Sequence, residues 1–302
     1  MTTASLNSTI ELEYDTFGSA DDPALLLVMG FTAQMTAWDE AFCQQLADGG
    51  RFVIRFDNRD CGLSTKLDGH FVDAMAVMGA VMTNTEVPPV PYTLSDMATD
   101  AIGLLDHLGI DAAHVVGASM GGMIVQTMAI EHPERLLSVT SIMSTIGDLA
   151  YGQPTPEAMQ VILAPPPEGR DEAIARAADY GVWASKRYFD ADRARELAAA
   201  AYDRSWYPEG ASRQIAAICA SGDRSDSLPG VTVPMLVIHG LDDALIDPSG
   251  GRRTAELVPG SHLLEVADMG HDMPRQLWPL IVGAIFAHGE VAAANAVMAV
   301  AS

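Results

Sequence analysis

One serine of the chain lies in a sequence context that can make its hydroxyl a nucleophile. Gly117-Ala118-Ser119-Met120-Gly121 follows the apolar run 113–116 and precedes the apolar stretch 122–130, which predicts a helix. Small flanking residues permit a sharp strand-to-helix turn that exposes the Ser119 hydroxyl at a sheet edge. The first N–H groups of the new helix would then point toward the reacting centre. The pattern therefore predicts a nucleophilic serine.

A serine hydroxyl needs a base that takes its proton, and the base needs a third group that orients it. On this kind of turn the expected order along the chain is Ser, then Asp or Glu, then His. Residues 263–266 predict a strand, and His271 follows soon after it. Of the eight histidines, only His271 combines a strand-end position with acids at the end of the preceding strand. We therefore expect His271 to be the base.

Three aspartates compete for the role of the acid. Residues 233–240 predict a buried strand, and Asp242, Asp243 and Asp247 follow it. The carboxyl ends of parallel strands meet at one edge of a sheet, which is where ligands bind. Any of the three could therefore approach the base, and their position along the chain leaves the choice open.

An acyl-transfer site also needs two N–H groups that bind the developing oxyanion. The residue after the nucleophile usually supplies one of them, and here that residue is Met120. The second is expected from the loop that follows the predicted strand 25–29.

The rest of the chain predicts strands that alternate with helices. Strands are expected at 10–17, 25–29, 52–57, 113–116, 137–143, 234–239 and 263–266, and helices around 38–47, 94–108, 122–130, 251–257 and 276–299. Such alternation is typical of an α/β fold with a mainly parallel central sheet flanked by helices.

Five separated motifs resemble those of the α/β-hydrolase superfamily. They are Val28-Met29-Gly30-Phe31, Asp57-Asn58-Arg59-Asp60-Cys61-Gly62-Leu63-Ser64, the Ser119 turn, Gly240-Leu241-Asp242-Asp243 and Gly270-His271. The resemblance covers nearly the whole chain. Segment 25–30 and the Arg59-Asp60 pair are similar to polyketide methylesterases of the aclacinomycin methylesterase type. The Arg59-Asp60 pair itself is expected to belong to a structural loop.

The resemblance implies specific roles. It places the acid at the fourth position of Gly-x-x-Asp, which is Asp243, and the second oxyanion donor at Phe31. In the superfamily a histidine usually stands where this chain has Met29, and the methylesterases named above share this chain's lack of that histidine. Met29 is expected to contact substrate. The implied enzyme is a serine hydrolase that cleaves a carboxylic ester of a small, largely apolar substrate through an acyl-enzyme, without cofactor or metal.

Other reactions use the same three side chains. A carbon–carbon bond hydrolase, a thioesterase, a lactonase and a perhydrolase stay open as alternatives. A catalytically slow ligand-binding receptor is an alternative of a different class, because fold alone does not establish a reaction.

The organisation of the chain predicts one catalytic core with two insertions. Residues 1–146 and 231–302 are expected to form the core, and the segment 147–230, with its Ala-rich helical stretches, a helical cap over the site. The Met- and Pro-rich segment 65–92 is the second insertion. Its Met78 and Met82 are expected to line the substrate pocket, because methionine adapts to irregular surfaces. The alternative is a helix packed on the core or on a second subunit.

Composition excludes some partners. The net charge is −23, from 40 acidic and 17 basic residues, and would repel nucleic acids and anionic membranes. Three cysteines without metal-ligand spacing indicate a reducing compartment. No leader and no stretch apolar enough to span a bilayer are apparent, so we expect a cytoplasmic enzyme; a homo-oligomer is left open.

Overall fold

The computed structural model describes residues 2–6 and 9–300 and contains one sheet of eight strands. The strands are β1 (Thr2–Ser5), β2 (Glu11–Phe17), β3 (Ala24–Val28), β4 (Phe52–Phe56), β5 (Ala113–Ala118), β6 (Leu136–Ile142), β7 (Met235–Gly240) and β8 (His262–Val266). Their order across the sheet is β1-β2-β4-β3-β5-β6-β7-β8. β2 is antiparallel to both of its neighbours, β1 and β4, whereas β3 to β8 pair in parallel. The expected mainly parallel sheet is confirmed.

Ten α-helices lie in the described ranges and connect or cover the strands. They are α1 (Glu40–Asp48), α2 (Ala74–Met82), α3 (Leu94–His107), α4 (Met120–Glu131), α5 (Pro156–Ile162), α6 (Arg170–Arg176), α7 (Ala191–Arg204), α8 (Glu209–Ser221), α9 (Ser249–Leu257) and α10 (Trp278–Val300). Short 3₁₀ turns occupy Met35–Ala37, Pro133–Arg135, Ala177–Val182, Leu228–Gly230 and Arg275–Leu277.

Alternating side chains of the central strands build a core on each face of the sheet. On β3, Leu26 and Val28 pack with α3 and α4, whereas Leu25 and Leu27 pack with α1 and α10. All four side chains are essentially inaccessible to solvent. The sequence of a strand that is buried on both faces is a continuous run of apolar residues, and Ala24–Val28 accordingly has no polar residue.

Between β6 and β7 the chain forms α5 to α8, and none of these helices joins the sheet. The sequence predicted helical stretches near α6 and α7 but did not predict α8. The buried positions of α8 include Arg213 and Gln214, so its inner face lacks the apolar stripe that identifies a helix in a sequence.

The C-terminal helix corrects one expectation. By length and composition alone Arg275–Ala294 could cross a membrane, with a mean hydropathy of 1.5, although no such stretch was expected. About 39% of this segment is buried inside the protein, where Ile281 and Ile285 belong to the core beneath the sheet. A core helix passes the same test of length and composition.

A buried histidine on β5 predicts acid sensitivity of the fold. Burial, followed by the charges of Arg51 and His288, lowers the pKa of His114 from 6.5 to about 4. Its Nδ1 lies 2.8 Å from Ser138 Oγ. The folded protein resists protonation of this ring, so its contribution to stability is complete above pH 6.5 and declines as the pH falls toward 4.

We expect the wild type to lose about 2 kcal/mol more unfolding free energy between pH 7 and pH 5 than the variant His114→Gln, which can still bond Ser138. Urea titrations at the two pH values measure this difference. Equal losses in the two proteins would contradict a neutral buried His114.

Candidate active site

Ser119 occupies a strained turn between β5 and α4. Its φ of 58° and ψ of −121° are unusual for a residue with a side chain. A Cβ on Gly117 would lie 2.1 Å from Gly121 O, and one on Gly121 would lie 2.1 Å from Val28 O. Gly117 therefore lets the end of β5 pass close to the first turn of α4, and Gly121 lets α4 pass close to β3. The Ser119 carbonyl is held by Ser144, whose Oγ donates to it at 2.8 Å.

His271 lies in the loop after β8 and reaches Ser119. Its Nε2 is 2.9 Å from Ser119 Oγ, and its Nδ1 is 2.8 Å from Asp243 Oδ2. A neutral ring that carries its proton on Nδ1 donates to the carboxylate and accepts the serine O–H at Nε2. Three residues separated by up to 152 positions therefore form one chain of hydrogen bonds.

Asp243 is the only one of the three candidate acids that contacts His271 in the described residues. Its Oδ1 accepts the backbone N–H groups of Leu245 and Ile246 at 2.9 and 2.8 Å. Burial opposes ionisation, but attraction to His271 and hydrogen bonds from His239 and His271 outweigh it and lower the pKa of Asp243 to about 2. The carboxylate is therefore charged at neutral pH.

The two other candidate acids have different contacts. Asp242 lies toward the surface, where its Oδ1 is 3.4 Å from Lys186 Nζ. Asp247 accepts the N–H of Ser249 at the start of α9. In the part of the chain that the structure describes, no hydrogen bond or ion pair joins either carboxylate to His271, whereas Asp243 has both.

The two expected oxyanion donors flank the serine. Met120 begins α4, and its N–H is one of the unpaired groups that every helix N-terminus leaves. Phe31 follows Gly30, whose Cα faces the nucleophile so closely that a Cβ would lie 2.9 Å from Ser119 Cβ and 3.4 Å from its Oγ. In the described part of the chain, neither the Phe31 nor the Met120 N–H donates to a protein acceptor.

We expect Gly30→Ala to lower kcat/KM about 10- to 100-fold, because the new methyl group displaces Ser119 and a displacement of about 1 Å suffices for such a loss. Gly79→Ala is the matched control, since a Cβ at this α2 position meets nothing within 4 Å. Ester turnover and melting temperature are measured for both. Full activity in the Gly30 variant would contradict the close approach.

The three methionines expected to contact substrate differ in exposure. Met29 directly follows β3 and is buried, and its carbonyl accepts from Asn58 Nδ2 at 2.8 Å. Met78 is half-buried on α2, and Met82 is 69% exposed. The pocket interpretation of segment 65–92 and its alternative, a helix packed on the core or on a second subunit, both stay predictions.

The Arg59-Asp60 pair is part of a buried ionic network rather than of the serine site. Arg59 Nε and Nη2 bind Asp100 at 2.6 and 2.7 Å. Asp60 accepts Nε and Nη2 of Arg213, from α8, at 2.8 and 2.9 Å. The loop that carries this pair therefore joins α3 on one side to α8 on the other.

The segment between β6 and β7 forms hydrogen bonds with the loop that carries His271. No pattern in the sequence predicted these contacts. The N–H of His271 donates to Trp183 O at 2.7 Å, and Asp272 Oδ1 accepts the N–H of Ser185 at 2.8 Å. Burial raises the pKa of Asp272, although hydrogen bonds from the Ser185 and Gly270 N–H groups and the charge of His271 oppose the rise. The loop after β8 that carries His271, called the histidine loop below, is thus hydrogen-bonded to a segment about 90 residues earlier in the chain.

The sequence matches a known protein family and two related enzymes over most of its length. A family model described as the alpha/beta hydrolase fold matches residues 23–274. The chain is 30% identical to rhodomycin D methylesterase DauP of Streptomyces sp. (strain C5), over 91% of this chain and 93% of that protein. It is also 30% identical to rhodomycin D methylesterase DnrP of Streptomyces peucetius, over 95% of this chain and 97% of that protein.

Solved structures agree on the fold. The 2-hydroxy-6-oxo-6-phenylhexa-2,4-dienoate hydrolase (BphD) from Rhodococcus sp. strain RHA1 superposes with a TM-score of 0.74 at 18% identity, over 95% of this chain and 96% of that one. At this identity the likeness bears on the fold alone. With the family model covering most of its length, the chain belongs to the α/β-hydrolase family.

Proposed function

We propose that this protein is a serine hydrolase that cleaves a carboxylic ester through an acyl-enzyme. The observation that carries the proposal is the hydrogen-bond chain from Ser119 Oγ through His271 to the buried carboxylate of Asp243. Relatives named as methylesterases support an ester rather than another acyl compound. A methyl ester of a carboxylic acid is therefore the proposed substrate class, with a largely apolar acid part.

The proposed reaction has two stages. His271 Nε2 removes the Ser119 proton as Oγ bonds to the ester carbonyl carbon, and the N–H groups of Phe31 and Met120 receive the oxyanion. The ester C–O bond breaks, and His271 passes its proton to the leaving alkoxide, which departs as methanol. Water then loses a proton to His271, attacks the acyl carbon and releases the acid and the free Ser119 hydroxyl.

Asp243 would keep His271 in the reactive tautomer. Its low pKa means that it stays ionised while the ring becomes positive, so the imidazolium gains a fixed negative partner. The two backbone N–H groups on Oδ1 leave Oδ2 for the ring, which fixes the direction of the interaction.

We also propose that residues 147–230 act as a cap on a core of 1–146 and 231–302. The contacts of Trp183 and Ser185 with the histidine loop support this division. Two arginines of this segment also form ion pairs with buried carboxylates of the core. Arg204 pairs with Asp57 at 2.7 Å, and Arg213 pairs with Asp60 at 2.8 Å. A cap of this kind would exclude water from the acyl-enzyme and shape the pocket.

A substrate panel tests the reaction class. Purified enzyme is offered methyl and p-nitrophenyl esters, acyl thioesters, a lactone and a vinylogous diketone at equal concentrations. We expect the highest kcat/KM on carboxylic esters. A preference of tenfold or more for carbon–carbon cleavage or for thioesters would overturn the ester assignment, and tight binding with negligible turnover would favour the receptor.

The cytoplasm is the proposed location. Cys43, Cys61 and Cys219 are free thiols, as a reducing compartment would leave them. The proposed binding partner is the small-molecule ester substrate. A homo-oligomer is also proposed, and light scattering would test it.

A further inference from the structure

The loop that carries the proposed oxyanion donor Phe31 contains a conformation that its own residues do not favour. Gly30 to Ala33 form a turn closed by a hydrogen bond from Ala33 N to Gly30 O at 3.3 Å. The third residue of the turn, Thr32, has a φ of 56°. Positive φ at this place is the mark of a type II turn and calls for glycine or asparagine. For a β-branched residue it is strained, so the surroundings must hold it.

One buried amide from α8 holds Thr32. The Thr32 N–H donates to Gln214 Oε1 at 2.8 Å, across 182 residues of sequence. Gln214 is fully buried, and its Nε2 donates to Arg59 O at 3.0 Å. Because the NH₂ end is engaged by a carbonyl, the oxygen end must face Thr32. On the other side of the same residue, Cys61 Sγ donates to Thr32 O at 3.3 Å.

The helix that carries Gln214 has little freedom to move. The neighbouring Arg213 forms the two-bond pair with Asp60. One turn earlier, α8 approaches the same loop so closely that a Cβ on Gly210 would lie 2.1 Å from Asp60 O. Gln214, which accepts the Thr32 N–H, therefore lies on a tightly packed part of α8.

We propose that Gln214 is a positioning residue for the oxyanion hole. By accepting the Thr32 N–H it fixes the Phe31–Thr32 peptide plane and keeps the adjacent Phe31 N–H directed at the reacting carbonyl oxygen. This role rests on the proposed ester hydrolysis. Among the described residues, no hydrogen bond joins Gln214 to Ser119, His271 or Asp243, and its two bonds go to Thr32 N–H and Arg59 O, so the proposed effect on Phe31 passes through Thr32.

The variant Gln214→Met tests the role, because it keeps the side-chain length and loses both hydrogen bonds. We expect kcat on an ester to fall about 10- to 100-fold with KM changed less than about threefold, since removal of one oxyanion donor costs about 10²- to 10³-fold. The matching thionoester has a sulfur that is a poorer hydrogen-bond acceptor. Its turnover is expected to fall less, so the ester-to-thionoester rate ratio should drop about fivefold or more.

A second substitution distinguishes positioning from general damage. Thr32→Gly removes the cost of positive φ, so the turn no longer needs Gln214. In that background Gln214→Met is expected to lower kcat less than about threefold. If Gln214→Met does not fold, Gln214→Asn, whose amide is too short for Thr32, replaces it in the same cycle.

Each outcome decides the proposal. A drop in the rate ratio together with rescue by Thr32→Gly supports it. An unchanged rate ratio, or an equal loss of kcat in the Thr32→Gly background, overturns the positioning role while leaving ester hydrolysis intact. A wild-type protein that turns over no ester and is not labelled at Ser119 by a phosphonate overturns the proposed function, and the role of Gln214 with it.

Discussion

Ser119→Ala is expected to lower kcat on esters by about 10⁵-fold or more and to abolish covalent labelling by a serine-reactive phosphonate. The alanine cannot form the acyl-enzyme, and His271 loses the hydroxyl that lies 2.9 Å from its Nε2. Residual turnover would come from the oxyanion donors and substrate binding alone. Steady-state kinetics and intact-protein mass spectrometry after phosphonate treatment measure the two effects.

The matched control is Ser261→Ala, because Ser261 donates to Ala255 O far from the site. It should keep wild-type kinetics and take one phosphonate. Circular dichroism and melting temperature establish that the Ser119 variant is folded. Turnover near the wild-type level in a folded Ser119→Ala would contradict the assignment of the nucleophile.

Asp243→Asn is expected to lower kcat about 10⁴-fold with little change of the fold, because it forces the wrong histidine tautomer. The N–H groups of Leu245 and Ile246 require an oxygen at the Oδ1 position. The new amide must therefore turn its NH₂ toward His271 Nδ1. That nitrogen then becomes an acceptor, the ring proton moves to Nε2, and Nε2 can no longer take the proton of Ser119.

Asp242→Asn provides the control at the next residue. Its partner Lys186 is mostly exposed and 3.4 Å away, so the loss of this pair should change kcat/KM less than about twofold. The two variants are compared in the same ester assay, with crystal structures or melting curves as a check on folding. A larger loss from Asp242→Asn than from Asp243→Asn would refute the choice of acid.

Much of the fold could be predicted from the sequence because the patterns that indicate its strands and helices involve only neighbouring residues. The apolar runs that predict β3, β5 and β7 and the helical patterns of α3 and α10 need only neighbouring residues, and their bounds lie within a few residues of the prediction. The close packing at Gly117 and Gly121 likewise follows from a five-residue motif. The expected order of serine, acid and histidine came from the kind of turn at Ser119, and the predicted strands supply candidates in that order.

Helix α8 was missed for a physical reason. The patterns that predict helices assume an apolar buried face, whereas α8 buries Arg213 and Gln214 and satisfies them with Asp60, Arg59 O and the Thr32 N–H. Burial of polar groups is tolerated only when partners are present, and those partners lie more than 150 residues away. No local window of sequence contains them.

The amino-acid sequence by itself determined the alternation of strands and helices, the sharp turn at Ser119 and the strand ends from which the acid and the histidine come. These features depend on backbone preferences and hydrophobic periodicity, which act between near neighbours. The family resemblance implied Asp243 among the three candidate aspartates, but only the tertiary structure decided that its Oδ2 faces His271 and that an amide from α8 supports the strained Thr32. Those decisions depend on side-chain direction and distance in space, which a linear pattern does not contain.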